Sequence, residues 1–145
     1  MDGAGAANVD FNERLDGAMN TNCRGPKRML QLAQQCHQLQ AYVHVSTAYV
    51  NCNLPSGTRI MEELPKVSYD GDDLLDEIAR MPTEAIVART PGWLGKYPNT
   101  YTFTKALGEW LLHKHRGQVA LPHPPATAPP LAPQGAMAAK GCRCA

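Results

Sequence analysis

Residues 41–46 read AYVHVS, a short run of aromatic and β-branched side chains without glycine or proline. Such a run is typical of a buried strand in a parallel sheet. Before it, between Arg24 and Leu39, apolar side chains recur at three- and four-residue steps, which indicates an amphipathic helix. A helix that leads directly into a buried strand is half of a strand–helix–strand unit, so this part of the chain predicts an α/β fold with a parallel sheet.

Pro26 sets the expected start of that helix. In the first helical turn a proline costs little, because its missing N–H would have no partner there anyway. If the helix began before Asn20, Pro26 would be an interior proline and would cost roughly 3 kcal/mol. We therefore expect Pro26 to lie in the first turn of the helix.

Two further helices are predicted. Asn99 and Thr100 open a helix that is expected to run to about His115. Its inward side chains are predicted to be Phe103, Ala106, Leu107, Trp110 and Leu111. The segment before it is rich in proline and glycine, and we expect one helix there, over residues 72–81 with Asp72 as its N-cap.

Charge and composition exclude several classes of protein. With 14 Lys and Arg against 13 Asp and Glu, the chain is not a nucleic-acid binder that works through bulk charge. No apolar run is long enough for a transmembrane helix, and the N-terminus lacks the pattern of a secretory signal. The five cysteines form no disulfide framework and no zinc-binding pair, so we expect an intracellular protein without a metal.

The charge and the prolines are unevenly distributed. Residues 62–84 hold eight acidic side chains against only Lys66 and Arg80, which predicts an acidic surface segment. Half of the 12 prolines lie within residues 122–133. We expect residues 1–121 to form the folded domain and residues 122–145 to be a disordered tail rich in proline and alanine.

Tyr101 and Lys105 are the candidate catalytic pair, because a four-residue spacing places both on one helix face. A lysine ammonium beside a phenol stabilises the phenolate, so the tyrosine can donate a proton to a carbonyl oxygen while hydride reaches its carbon. The lysine keeps donors for a ribose hydroxyl of a nicotinamide cofactor. Taken alone, however, such a pair is more often a tyrosine and a lysine on a solvated helix face.

Ser46 and Thr47 are the candidate oxygen-binding residues. They follow the predicted strand at its C-terminal end, where open α/β sheets place their ligands. A hydroxyl there can hold the oxygen that Tyr101 protonates. The simpler alternative is a hydroxyl that bonds the backbone at a strand end.

Two blocks of sequence carry a family resemblance. Residues 42–50 (YVHVSTAYV) and 97–109 (YPNTYTFTKALGE) strongly resemble the alcohol-forming fatty acyl-CoA reductases, the male-sterility group of the extended short-chain dehydrogenase/reductases. Residues 6–13 (AANVDFNE) and 18–25 (AMNTNCRG) are also similar to that family. The resemblance covers residues 6–121 and implies the central and C-terminal part of a Rossmann-like parallel sheet.

The resemblance also implies an activity and roles for individual residues. A long-chain acyl-CoA would be reduced by NADPH to an aldehyde, and by a second NADPH to the fatty alcohol. Tyr101 would be the proton donor, and Lys105 would tune it and bind the nicotinamide ribose. Thr47, with Ser46 beside it, would hold the oxyanion.

On the cofactor side, the resemblance places Ala6 and Ala7 at the end of a strand next to the cofactor. Asn20 would hold the water that recharges the tyrosine through Lys105. Residues 53–96 would form part of the cover over the acyl chain. Intact members of the family are often associated with endoplasmic reticulum, peroxisome or plastid membranes.

One expected motif is missing from these 145 residues. A dinucleotide site needs a Gly-x-Gly-x-x-Gly turn between a strand and a helix, and no such turn occurs in the sequence. We therefore expect an incomplete, partial reductase domain that binds NADPH poorly by itself and is inactive. Two alternatives stay open: a carrier-dependent thioester reductase domain of the carboxylic acid reductase type, or a non-catalytic interaction fragment.

Overall fold

The computed structural model describes residues 10–119, and the secondary structure of that part of the chain is helical. It contains the α-helices α1 (Leu15–Met19), α2 (Gly25–Ala33), α3 (Gly71–Ala79), α4 (Thr83–Leu94) and α5 (Thr100–His115). A π-helical turn spans Asn20–Arg24, and a 3₁₀ turn spans Ala48–Asn51. No helix in this part of the chain is long and apolar enough to cross a membrane.

Helices α1 and α2 are joined by the π turn into one continuous helical segment from Leu15 to Ala33. Helix α2 has Pro26 in its first turn, as predicted, but the helical segment as a whole begins at Leu15, before Asn20, so Pro26 lies in its interior. The π turn lies directly before the proline, and in it the N–H of Gly25 bonds the carbonyl of Asn20, five residues back. A wider turn moves carbonyl groups out of the way of the proline ring, which removes the clash that makes an interior proline costly.

The predicted strand at residues 41–46 is not formed within the described residues. Burial nevertheless alternates as in a strand: Tyr42, His44 and Ser46 are half-buried. Val43 and Val45 are 57% and 65% exposed. The prediction that this segment is buried is therefore wrong for its two valines, and no segment of residues 10–119 pairs with its backbone as a strand requires. The parallel sheet is not confirmed in this part of the chain.

Helix α3 lies close to its predicted position but has a different cap. It begins at Gly71, and the carboxylate of Asp70, not of Asp72, accepts hydrogen bonds from the N–H groups of Asp72 and Asp73. Gly71 packs against α5 so closely that a Cβ atom there would lie 2.6 Å from the Leu111 side chain. The helix thus starts one residue before the predicted range, and its cap lies two residues before the predicted one.

Helix α4 was not predicted, because Pro82 and Pro91 were taken as signs of irregular structure. Pro82 is the extended N-cap residue, and Pro91 lies inside the last turn of the helix. The helix buries Ile86 and Trp93 in the core. Burial of these two large apolar side chains outweighs the poor helix propensity of the proline.

Helix α5 is the centre of the fold, and its prediction is confirmed. Asn99 caps it by accepting a hydrogen bond of 2.9 Å from the N–H of Thr102. The helix packs against the π turn and against α1, α2 and α3, and its buried face includes Phe103, Leu107 and Leu111. The expectation for Trp110 was wrong: it is 39% exposed, and its indole N–H donates to the carbonyl of Pro65. The predicted domain end at residue 121 and the tail at 122–145 lie outside the described residues.

Candidate active site

Lys105 occupies the second turn of α5 and is almost completely buried, with 4% of its surface exposed. Its ammonium donates a hydrogen bond of 3.0 Å to the backbone carbonyl of Val45. This contact joins α5 to the segment that carries Ser46 and Thr47. The structure therefore brings together the two parts of the chain in which the candidate residues were found.

Burial lowers the pKa of Lys105 below its ordinary value, while the neighbouring Glu109 and Cys23 act in the opposite direction. His44 lies in the same region. Burial, together with the positive charge of Lys105, lowers the pKa of His44 to about 4. At neutral pH the imidazole is therefore uncharged, and the ammonium beside it does not face a second cation.

Tyr101 lies one turn before Lys105 and is half-buried. Its ring meets the ring of Phe11 edge to face, with centroids 5.4 Å apart and planes at 71°. Thr100 fixes the loop that carries Phe11, because its hydroxyl donates to the carbonyl of Glu13 at 2.8 Å. Reasoning from the sequence missed Phe11 as a neighbour of the tyrosine, although it lies in the block at residues 6–13 that carries the family resemblance.

Ser46 and Thr47 differ in how their hydroxyl groups are used. The Thr47 hydroxyl accepts a hydrogen bond of 3.3 Å from the N–H of Tyr49 and so caps the 3₁₀ turn. The Ser46 hydroxyl is buried and has no hydrogen-bond partner among residues 10–119. A buried polar group without a partner costs about 1–3 kcal/mol, so Ser46 has the hydroxyl better suited to an incoming oxygen.

Asn20 is the first residue of the π turn and is exposed. Its backbone carbonyl accepts a hydrogen bond from the N–H of Gly25. Its predicted contact with a water is not tested by the structure. Ala6 and Ala7, the other two predicted cofactor residues, lie outside the described residues. No group of three side chains suited to hold a metal ion occurs between residues 10 and 119.

The π turn is also where the first helical segment packs most tightly against α5. The amide of Asn22 donates to the hydroxyl of Thr104 at 3.1 Å, and the thiol of Cys23 donates to the Thr104 carbonyl at 3.1 Å. Gly108 lies against the backbone here, where a Cβ atom would lie 2.6 Å from the carbonyl oxygen of Asn22. These contacts set the position of α5, and thereby of Tyr101 and Lys105.

The arrangement combines a half-buried phenol, a buried ammonium one turn later and a serine hydroxyl without a partner in residues 10–119. The phenol can give a proton to an oxygen, and the ammonium can stabilise the phenolate that remains. The hydroxyl can hold that oxygen by a hydrogen bond. These are the groups needed when a carbonyl is reduced by hydride.

Comparison with known proteins gives a consistent result. The NAD-binding family described as male sterility protein matches residues 4–124. The chain is 38% identical over 109 residues to fatty acyl-CoA reductase 1 of Xenopus laevis, which covers 75% of this chain and 21% of that protein. Fatty acyl-CoA reductase 2 of Bos taurus is 33% identical over 114 residues, 79% of this chain and 22% of that protein. The Mus musculus protein of the same name is 35% identical over 114 residues. The chain thus spans about a fifth of the length of these relatives.

Proposed function

Because the chain belongs to the male sterility family of NAD-binding domains, we propose that it supplies the catalytic helix of a fatty acyl-CoA reductase. The reaction is the NADPH-dependent reduction of a long-chain acyl-CoA thioester to the fatty alcohol, by way of the aldehyde. The names of the matching relatives support the acyl-CoA substrate. The preference for NADPH over NADH and for long acyl chains is part of the proposal.

The single observation that carries the proposal is the contact between Lys105 and the carbonyl of Val45. It joins α5, at a residue one turn after Tyr101, to the segment that carries Ser46, whose hydroxyl has no partner among residues 10–119. A solvated helix face, the main alternative for this pair, does not agree with a lysine that is 4% exposed. These observations support a site in which Tyr101 donates the proton, Lys105 supplies the positive charge and Ser46 holds the oxygen.

These residues fit a nicotinamide cofactor. An ammonium has three donors, and the one contact to Val45 leaves others for ribose hydroxyls. When bound, NADPH supplies the hydride for each of the two reductions. We place Ala6 and Ala7 beside the cofactor, and Asn20 at the water that returns a proton through Lys105.

In the first reduction, the thioester oxygen accepts hydrogen bonds from Ser46 and Thr47. As hydride adds to the carbonyl carbon, the Tyr101 phenol gives its proton to that oxygen, and a hemithioacetal forms. Cleavage of its carbon–sulfur bond releases the CoA thiol and leaves the aldehyde. Between the reductions, Lys105 stabilises the Tyr101 phenolate until a proton returns to it.

In the second reduction, the aldehyde oxygen takes the place of the thioester oxygen. Hydride adds to the same carbon, and Tyr101 again protonates the oxygen, which gives the alcohol. Residues 53–96, which include α3 and α4, would cover part of the acyl chain during both steps. Water is thereby kept from the reacting carbon.

The test is made in a full-length reductase in which residues 10–119 of this chain replace the matching segment of the Xenopus laevis relative. The change Tyr101→Phe removes the proton donor and keeps the ring. We expect kcat for acyl-CoA-dependent NADPH oxidation to fall by roughly 10² or more, since general acid catalysis contributes about 10²–10⁴. KM for the acyl-CoA should change little.

The matched control is Tyr42→Phe, which removes only the hydrogen bond from that hydroxyl to the carbonyl of Pro26. It should retain kcat within about a factor of two. Undiminished turnover in the Tyr101→Phe variant would overturn the assignment. In the same assay, equal rates with NADH and NADPH would overturn the cofactor preference, and faster turnover of a carrier-bound thioester would overturn the acyl-CoA substrate.

A further inference from the structure

Lys105 presents an electrostatic problem that its contact with Val45 does not solve. The residue as a whole is 4% exposed, and the carbonyl to which its ammonium donates is neutral. A buried charge is expensive unless a charge of opposite sign compensates it. The proposed reaction, on which this inference rests, needs Lys105 to stay charged beside Tyr101.

The ionisable groups around Lys105 come from three different parts of the structure. His44, on the segment before the 3₁₀ turn, is neutral above about pH 4, because burial and the lysine charge lower its pKa. Cys23, in the π turn, is completely buried, and its pKa is raised so far that the thiol stays neutral. Neither group supplies a negative charge at neutral pH.

Glu109 is the third group, and it carries the opposite charge. It lies one turn after Lys105 on α5, and side chains four residues apart on a helix are neighbours. Among the described groups, its field is the largest that opposes the effect of burial on Lys105. Its side chain is half-buried, so water screens this interaction less than it would at the surface.

We propose that Glu109 is a positioning residue whose carboxylate is the counter-ion of Lys105 and keeps its ammonium charged at the Val45 carbonyl. Tyr101, Lys105 and Glu109 then occupy three successive turns of α5. The phenol is the proton donor, the ammonium stabilises the phenolate, and the carboxylate holds the charge on the ammonium. Glu109 itself touches neither substrate nor cofactor.

The experiment uses the 145-residue chain without substrate or cofactor. The side-chain amines of its lysines are titrated by NMR, and the Lys105 signal is assigned as the one that is missing in Lys105→Met. In Glu109→Gln, which keeps shape and removes charge, the Lys105 titration should move to lower pH. In Glu109→Asp, which keeps the negative charge, the Lys105 titration should lie close to that of the parent chain.

The matched control is Glu63→Gln, which removes the same charge from an exposed position outside α5. It should leave the Lys105 titration unchanged. If the titration in Glu109→Gln is also unchanged, or if Glu63→Gln shifts it equally, the proposal is wrong. A Glu109 that only packed α5 would not move the titration of one lysine selectively.

If Glu109→Gln does not fold, the proposal is tested instead by the folding of the double variant Lys105→Met/Glu109→Gln. Removing both charges leaves no uncompensated ammonium, so the double variant should recover the circular dichroism and the cooperative unfolding of the parent chain. A double variant as unfolded as Glu109→Gln would overturn the proposal. Because neither measurement uses turnover, failure of this inference can be distinguished from failure of the proposed reductase activity.

Discussion

Gly108 of α5 packs directly against the backbone of the first helical segment. A Cβ atom at this position would lie 2.6 Å from the carbonyl oxygen of Asn22, and a backbone oxygen cannot rotate away as the end of a side chain can. Pro26, four residues after Asn22, cannot donate to that carbonyl in a regular α-helix. The contact between Gly108 and Asn22 thus forms at the π turn, where the first helical segment is wider than a regular α-helix.

We predict that Gly108→Ala lowers the free energy of unfolding by about 1–3 kcal/mol, because overpacking outweighs the roughly 1 kcal/mol that alanine gains in helix propensity. The control is Gly92→Ala in α4, where a Cβ atom would meet nothing within 4 Å. That variant should be more stable than the parent by about 0.5–1 kcal/mol. Urea denaturation followed by circular dichroism measures both. A Gly108→Ala variant as stable as Gly92→Ala would contradict the prediction.

At the residue scale, spacing predicted the helix face shared by Tyr101 and Lys105. It could not predict the contact with Phe11, since that residue lies 90 positions earlier in the chain. It could not predict the partner of Lys105 either, because a backbone carbonyl exists at every position and leaves no mark in the sequence. Spacing reports which side chains share a surface, whereas their partners depend on packing.

Helix α3 is held in place at its N-terminal end by Asp72. The carboxylate of this residue bonds Lys27 of α2 and both Lys114 and His115 of α5, the last at 2.6 Å. Burial acts to raise the pKa of Asp72, but the hydrogen bonds from these three side chains outweigh it and hold the pKa well below its usual range. The acidic segment predicted from composition is therefore tied to α2 and α5 through Asp72, and again to α5 through Asp70, whose carboxylate contacts Lys114 at 2.7 Å.

We predict that Asp72→Asn lowers the free energy of unfolding by about 1–2 kcal/mol at pH 7, in the lower part of the range for charged hydrogen bonds because water reaches the carboxylate. The pKa of Asp72 is lower in the folded state than in the unfolded state, where it is about 4. The charged carboxylate therefore stabilises the fold at pH values above about 4, and this stabilisation is lost as the pH falls toward the pKa of the folded state. The gap between variant and parent should therefore narrow between pH 5 and pH 2.

Asp76→Asn is the control for that prediction. Asp76 is on the same helix, its side chain is 72% exposed, and its only described ion pair is a contact of 4.0 Å with Arg80. We expect a change of no more than about 0.5 kcal/mol at either pH. Urea unfolding at pH 7 and pH 3 measures both variants, and a gap for Asp72→Asn that does not depend on pH would contradict the assignment.

At the scale of elements, the sequence predicted α5 well because a cap, an apolar period and a basic end all agree there. It missed α4 because Pro82 and Pro91 indicate breaks when they are considered locally. A proline in the last turn of a helix interrupts few hydrogen bonds, and the burial of Ile86 and Trp93 depends on residues distant in sequence. Local sequence signals therefore fail to predict a helix whose stability depends on packing against residues distant in sequence.

At the scale of the whole molecule, residues 41–46 present an apolar face that nothing among residues 10–119 covers. Val43 and Val45 are exposed, and their neighbours alternate in burial as in a strand. A strand-like segment with exposed valines and no partner strand is a template for pairing with another chain. We predict that this 145-residue chain associates through this face.

Val43→Lys should weaken that association, because a lysine on a strand edge opposes pairing. The control is Val87→Lys, which changes a valine of similar exposure, 55%, on the helical surface of α4. Sedimentation velocity at increasing concentration should show less association for Val43→Lys and no change for Val87→Lys. Equal effects of the two variants would mean that general surface charge, and not this face, controls association.

The parallel sheet was predicted from the same six residues, which were expected to be buried, whereas Val43 and Val45 are exposed. Whether the segment is a strand depends on a second segment beside it, which the composition of six residues cannot specify. The match to an NAD-binding family supports the Rossmann-like fold class without showing the sheet in residues 10–119.

The bond between Lys105 and Val45 has a consequence for how these two positions can diverge. The acceptor belongs to the main chain, and the Val45 side chain is turned to the opposite, exposed side. Position 45 can therefore exchange one apolar side chain for another without disturbing the ammonium, while position 105 cannot change at all. Because only position 45 of this pair can vary, the two positions should show no correlated substitutions although the residues are in direct contact.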